Sequence, residues 1–247
     1  MKKLIIMKKI LLFVTVLLSS LFTSAQNYED LLVMYADGNY DKLVKTAESY
    51  TLKDKTKNDA EPYYWLAKGL FAMSKDAEYT SQDRYKNAYK DAITAIGKLQ
   101  RKDKDGSIFH EYRDFFSEFK QSLIEVIENE ISTGNYSKAY GWVIKVPKVS
   151  PDDIGSKYLI GVCKYRKGDK SGATADWKLA DDMLNAVTSV DDWSDEDFKL
   201  LSMGLIETAE CYIDSKRVEQ AKAIMNKGYK WLESDETFKA KYDEIVN

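Results

Sequence analysis

The chain has 247 residues, 37 Lys and Arg against 40 Asp and Glu, and a formal charge of −3; that balance excludes a broad basic footprint for nucleic acid. A hydrophobic content of 44% fits a folded core rather than a disordered chain, while 12 Gly and 3 Pro are too few for a turn-rich β-sandwich or barrel. The single histidine, His110, excludes a site needing two imidazoles from one chain, and the two cysteines, Cys163 and Cys211, exclude a four-cysteine zinc site.

Residues 1–25 read as a secretory signal peptide. Lys2, Lys3, Lys8 and Lys9 form a positive start, residues 10–18 are apolar, and a small-residue stretch ends at Ala25. Met7 opens a second Met-Lys-Lys and is an alternative start. The apolar run is shorter than the roughly 20 residues of a spanning helix. No cysteine lies near the cleavage point, so a lipoprotein anchor is not expected. Cleavage after Ala25 leaves residues 26–247 as one domain with a net charge of −7. The expected location is the periplasm of a Gram-negative bacterium, or beyond it.

After residue 26 the apolar positions recur at three- and four-residue intervals, which predicts helices. Asp37-Gly38-Asn39, Thr133-Gly134-Asn135 and Lys167-Gly168-Asp169 interrupt them, each followed by another helical pattern. The stretch 98–106 reads as a mixed-charge linker. The acid-rich stretch 185–197 lacks the Gly and the terminal Glu of a calcium loop, and Ser194 with Asp197 reads as a helix cap instead. Phe238, Tyr242 and Ile245 form a narrow apolar stripe on a charged last helix, as at the end of a stacked array.

Gly134 and Gly168 lie 34 residues apart, as do Ala139 and Ala173. This period and pattern resemble the tetratricopeptide repeat (TPR), whose unit is two antiparallel helices. The fullest match spans 154–182. Ile160-Gly161 stands for the family's Leu-Gly, Gly168-Asp169 for its turn, and Ala173, Trp177 and Ala180 for the second helix. The family's Trp and Tyr fall on Lys157 and Lys164. Gly161 and Ala173 supply the small residues a close crossing needs, and Trp177 is expected to fill the wider gap one turn further on. Partial matches are Gly38, Tyr40, Leu43 and Ala47; Trp65, Gly69, Tyr85, Ala88, Ala92 and Ala95; Leu123, Ile127, Gly134, Tyr136 and Ala139; and Leu205, Ala209, Tyr212, Ala221 and Met225, with a turn at Asp214-Ser215-Lys216. The resemblance implies an all-α, right-handed helical-hairpin solenoid of about five TPR-like units plus a C-terminal capping helix.

Motifs for chemistry are sparse. His110-Glu111 opens a zinc-protease-like H-E-x-x-H, but its fifth position is Asp114; His110 reads as a surface residue at a helix start. Neither a G-x-S-x-G elbow nor a phosphate-cradling Gly-rich loop occurs. Glu125 and Glu128 read as a solvated helix face. No enzyme activity, metal or cofactor is therefore expected. Cys163 and Cys211 each follow a small crossing residue, Gly161 or Ala209, by two positions; buried thiols and a disulfide both stay open.

Stacked hairpins leave a curved groove lined by their first helices. The residues expected there are Tyr28, Leu32 and Tyr35; Leu66, Leu70 and Met73; Ile124, Glu128 and Ile131; Tyr158, Val162 and Tyr165; and Ile206, Glu210 and Ile213. The family's chaperone-tail binders clamp a carboxylate with Lys and Asn on this face. Those types are absent from the five triplets, and Arg166 is the nearest cation. The expected role is a scaffold for a protein or peptide partner, perhaps an envelope assembly, with its oligomeric state open. The alternative is a glycan or small-ligand binder using Trp65, Trp142, Trp177, Trp193 and Trp231 as stacking platforms, as in the larger, lipid-anchored helical glycan-binding proteins of the outer membrane.

Overall fold

The computed structural model describes residues 28–247, so the expected signal peptide lies outside the described residues. Among these residues there are thirteen α-helices, one short 3-10 turn and no strand. They pack as consecutive antiparallel pairs: α1 (Glu29–Ala36) with α2 (Tyr40–Leu52), α3 (Glu61–Ser74) with α5 (Ala88–Lys102), α7 (Arg113–Ser132) with α8 (Tyr136–Val143), α9 (Ile154–Arg166) with α10 (Lys170–Asn185), and α11 (Asp195–Asp214) with α12 (Val218–Leu232). Two short helices, α4 (Ala77–Thr80) and α6 (Ser107–Glu111), fill connections, and α13 (Glu236–Val246) closes the array against α12 and α11. Phe238 is fully buried and Ile245 nearly so, as the terminal stripe requires.

One turn grammar repeats at four hairpins. Gly38, Gly134 and Gly168 have φ of 69°, 72° and 94°, and Lys216 has 60° in the equivalent place. The next residue's N–H returns to the carbonyl five positions back: Asn39 to Met34, Asn135 to Glu130, Asp169 to Lys164, Arg217 to Tyr212. This closure satisfies helix-end carbonyls and needs a left-handed residue, which a Cβ disfavours. Lys216 alone carries that penalty. Lys216→Gly is expected to raise stability by about 0.5–1 kcal/mol, read as a higher urea midpoint at unchanged slope.

Glycines also set how closely helices approach. A Cβ on Gly161 falls 2.3 Å from Trp177 Nε1, and that indole donates to the Tyr158 carbonyl at 3.1 Å. Trp177 therefore lies directly on Gly161 rather than one turn beyond it, because the flat ring needs the space a side chain would fill. A Cβ on Gly155 falls 2.1 Å from the Leu200 carbonyl carbon, and one on Gly204 falls 2.7 Å from the Gly155 oxygen. α9 and α11, from successive hairpins, thus touch backbone to backbone. The second and third hairpins are instead spaced by rings: Tyr89 stacks on Phe119, Tyr64 on Tyr112, and Phe71 meets both Phe115 and Phe119.

The hydrophobic core forms two clusters divided along α9. Leu159 and Cys163 join the N-terminal cluster; Tyr158 and Val162 join the C-terminal one. The expected linker 98–106 is corrected, because α5 continues to Lys102. Asp103 then caps α6, its carboxylate accepting from the Ile108 and Phe109 N–H groups. His110 is exposed in the last turn of α6, not at a helix start.

Candidate functional site

The N-terminal ends of two helices, α9 and α11, meet at one lysine of a third. Lys120 of α7 is almost fully buried, 3.1 Å from Asp153 and 2.5 Å from Asp197. Asp153 caps α9, accepting from the Ser156 N–H at 2.6 Å. Asp197 closes the expected capping box of α11 with Ser194. The amine thus bridges the two carboxylates that offset the positive ends of α9 and α11. Burial holds the Asp153 carboxyl above its usual range, opposed by Lys120. Burial also pushes Asp197 upward, but Lys120 and Ser194 together outweigh it and hold the carboxyl low.

From this tie α7 and α11 run in the same direction. Ser117 meets Glu196 at 2.8 Å, and further along Glu128 meets Lys199 at 3.1 Å. At that pair a cleft of about 530 Å³ lies between the two helices. One wall is the face of α11 that carries Asp195, Phe198, Lys199, Ser202, Met203, Ile206 and Glu207, a three/four spacing that places them on a single stripe. The other wall is Glu128, Ile131 and Ser132 at the end of α7, and Asp235 with Thr237 at the start of α13 closes one end. Met203 leans on the N-terminal core cluster; Phe198 and Ile206 lean on the C-terminal one. The volume and the mixture of apolar wall with a few charged groups are those of a binding cleft.

Glu207 is half-buried and has no hydrogen bond or ion pair among the described residues. Burial raises its carboxyl above the ordinary range, against the pull of Arg166, and Glu210 adds to the rise. Arg166 itself is held by Asp214. Asp235 spends one oxygen on the Phe238 N–H, and Asp195 is exposed.

The expected groove residues divide sharply. Tyr28, Met73, Ile124, Tyr158 and Val162 are buried in the core and do not line this cleft, which corrects the expectation for these residues; Leu66 and Leu70 are buried as well. A three/four stripe marks the inward side of a helix, and here neighbouring hairpins cover most of it. Leu66 and Leu70 reach only the floor of a crevice of about 210 Å³. Ile131, though 6% exposed, does line the cleft, as do Glu128 and Ile206. Leu32 is exposed. Tyr35 is half-buried beside Tyr40 and Trp65. Tyr165 and Arg166 are half-buried and engaged with Ser215 and Asp214. Phe198, Lys199, Met203 and Glu207 were not among the expected residues; the unbroken stripe from Asp195 to Glu207 is the signal that marks them. Of the expected stacking platforms, Trp65 and Trp177 are buried, and Trp193 is tilted against Phe198 at 5.4 Å. Cys163 and Cys211 are free and buried, and burial pushes both thiols up to about 12.

Comparison with family models finds no match, and neither does comparison with curated proteins. Among solved structures, the TPR domain of P58(IPK) is similar at TM-score 0.34 and 15% identity, over 87% of this chain and 53% of that one. The chain thus spans about half the length of that solved relative. No helix among the described residues is long and apolar enough to cross a membrane.

Proposed function

We propose that this chain is an exported, non-catalytic scaffold that holds a protein or peptide segment in the cleft between α7 and α11. The observation that carries the reading is the cleft itself, an apolar-floored trough on the first helices of two hairpins, closed at one end by α13. Met203 gives it an adaptable surface, and Phe198 and Ile206 give contact area. The layout of residues 1–25 supports export, and a cell-envelope assembly is the setting that export and a groove together favour.

Panning a random-peptide display library against the full chain tests this. Binders should be lost on Met203→Arg, which fills and charges the cleft, and kept on Leu179→Arg, on the exposed side of α10. Binders that survive Met203→Arg would place the contact elsewhere and end the reading.

A further inference from the structure

Resting on that reading, the chemistry of the cleft names its occupant. We infer that the cleft takes an extended segment carrying a lysine or arginine two residues from an apolar side chain, the cation pairing with Glu207 and the apolar group seating on Met203 and Ile206.

The charges set the sign. The cleft presents Glu128, Asp195, Glu207 and Asp235 against one cation, Lys199, and Lys199 is already committed to Glu128 at 3.1 Å. An acidic segment entering this trough meets an excess of like charge whose nearest cation, Lys199, is already paired, a penalty against the wrong partner. A cationic one meets a carboxylate that has given up part of its hydration and has no hydrogen bond or contact ion pair in return, since the cations that attract it from further off, Arg166 and Lys241, are held by Asp214 and by Glu210 and Glu244. A half-buried, unpaired carboxylate gains more from a new ion pair than an exposed one, because part of its desolvation is already spent. Burial, by raising this carboxyl, reports the same unmet demand.

Geometry sets the spacing. Met203 and Glu207 are four residues apart on α11, so their side chains are neighbours one turn apart, with Ile206 beside them. In an extended segment, residues i and i+2 point the same way about 6.6 Å apart, which matches one helical turn. A segment lying along α11 therefore presents an apolar side chain to Met203 and a cation to Glu207 from positions i and i+2.

The test uses the full chain and three fluorescein-labelled pools of nine-residue peptides. Each pool fixes Leu and, two residues on, Lys, Gln or Glu, with the other positions randomised. Fluorescence anisotropy should show the Lys pool binding about tenfold more tightly than the Glu pool, with the Gln pool between. Glu207→Gln should shrink the Lys-to-Gln difference below about twofold. It should leave circular dichroism and thermal midpoint close to wild type, since it removes an unpaired carboxylate. Met203→Arg should remove binding of all three pools. Binding that Met203→Arg abolishes, but that is indifferent to Lys against Glu or prefers Glu, overturns this inference and leaves the groove reading standing. Binding that survives Met203→Arg, or no binding by any pool, removes both. A dimer in sedimentation that Met203→Arg dissolves would make a second copy the occupant and overturn the cationic-segment inference.

Discussion

Gly155→Ala should lower the stability of this protein by at least about 3 kcal/mol, the upper end of what overpacking costs. The added methyl group would sit 2.1 Å from the Leu200 carbonyl carbon and 2.3 Å from its oxygen. Neither atom belongs to a side chain that can swing away; α9 and α11 must separate. For a chain of this size the loss corresponds to roughly 6–12 °C in thermal midpoint. Because α11 carries one wall of the cleft, peptide affinity should fall as well. Gly141→Ala provides the opposite sign, since a Cβ there meets nothing within 4 Å and alanine is the better helix former. Equal effects from the two substitutions in calorimetry would refute the backbone-contact account.

Lys120→Met should cost a further class of energy, about 3–5 kcal/mol, because it strands a buried charge. Asp153 keeps only the Ser156 N–H, in a site with almost no solvent. Its pH dependence has a definite sign. Without the amine, burial and the nearby Asp197 are opposed only by the Ser156 N–H, and the folded carboxyl of Asp153 rises further above the unfolded value. Lowering the pH then lets the folded variant take up a proton and recover stability. In the wild type, Asp197 is held low and contributes stability above its unfolded value, which is lost as the pH falls through the folded one. The variant lacks that contribution. The first effect narrows the gap between wild type and variant as the pH drops from 7 toward about 4, and the second narrows it further only below the unfolded carboxylate value of about 4. Adding Asp153→Asn to Lys120→Met, which keeps the helix cap, should recover part of the loss at neutral pH. A gap that widens on acidification in denaturant titrations would show that the amine is not what balances these carboxylates.

Local grammar was legible before any coordinates. Gly134 and Gly168 sit one period apart because both close the same kind of turn, and its left-handed position favours glycine, with Lys216 the exception. Ser194 and Asp197 announced their cap because capping is settled within four residues. What the chain did not announce were facts settled between hairpins. Gly155 and Gly204 belong to different hairpins, and nothing in their separate neighbourhoods shows that one faces the other. Nothing in the sequence around Lys120 sets it apart, since its two carboxylate partners come from distant segments. The burial of several expected groove residues was hidden for a related reason. Periodicity tells which side of a helix is apolar, not whether a neighbour covers it. Tyr158 and Val162 were covered by α11, while Met203 on that same helix was left at the edge of an opening.

The division of the core along α9 has a consequence for how this molecule can be cut or shortened. Leu159 and Cys163 look one way and Tyr158 and Val162 the other. α9 is thus a party wall, shared by two rooms and owned by neither. Any fragment that ends on either side of it carries away a raw apolar flank, so the halves are not modules to be lifted out and reused. A shorter version that keeps its solubility has to retain the wall and trim from the outer ends.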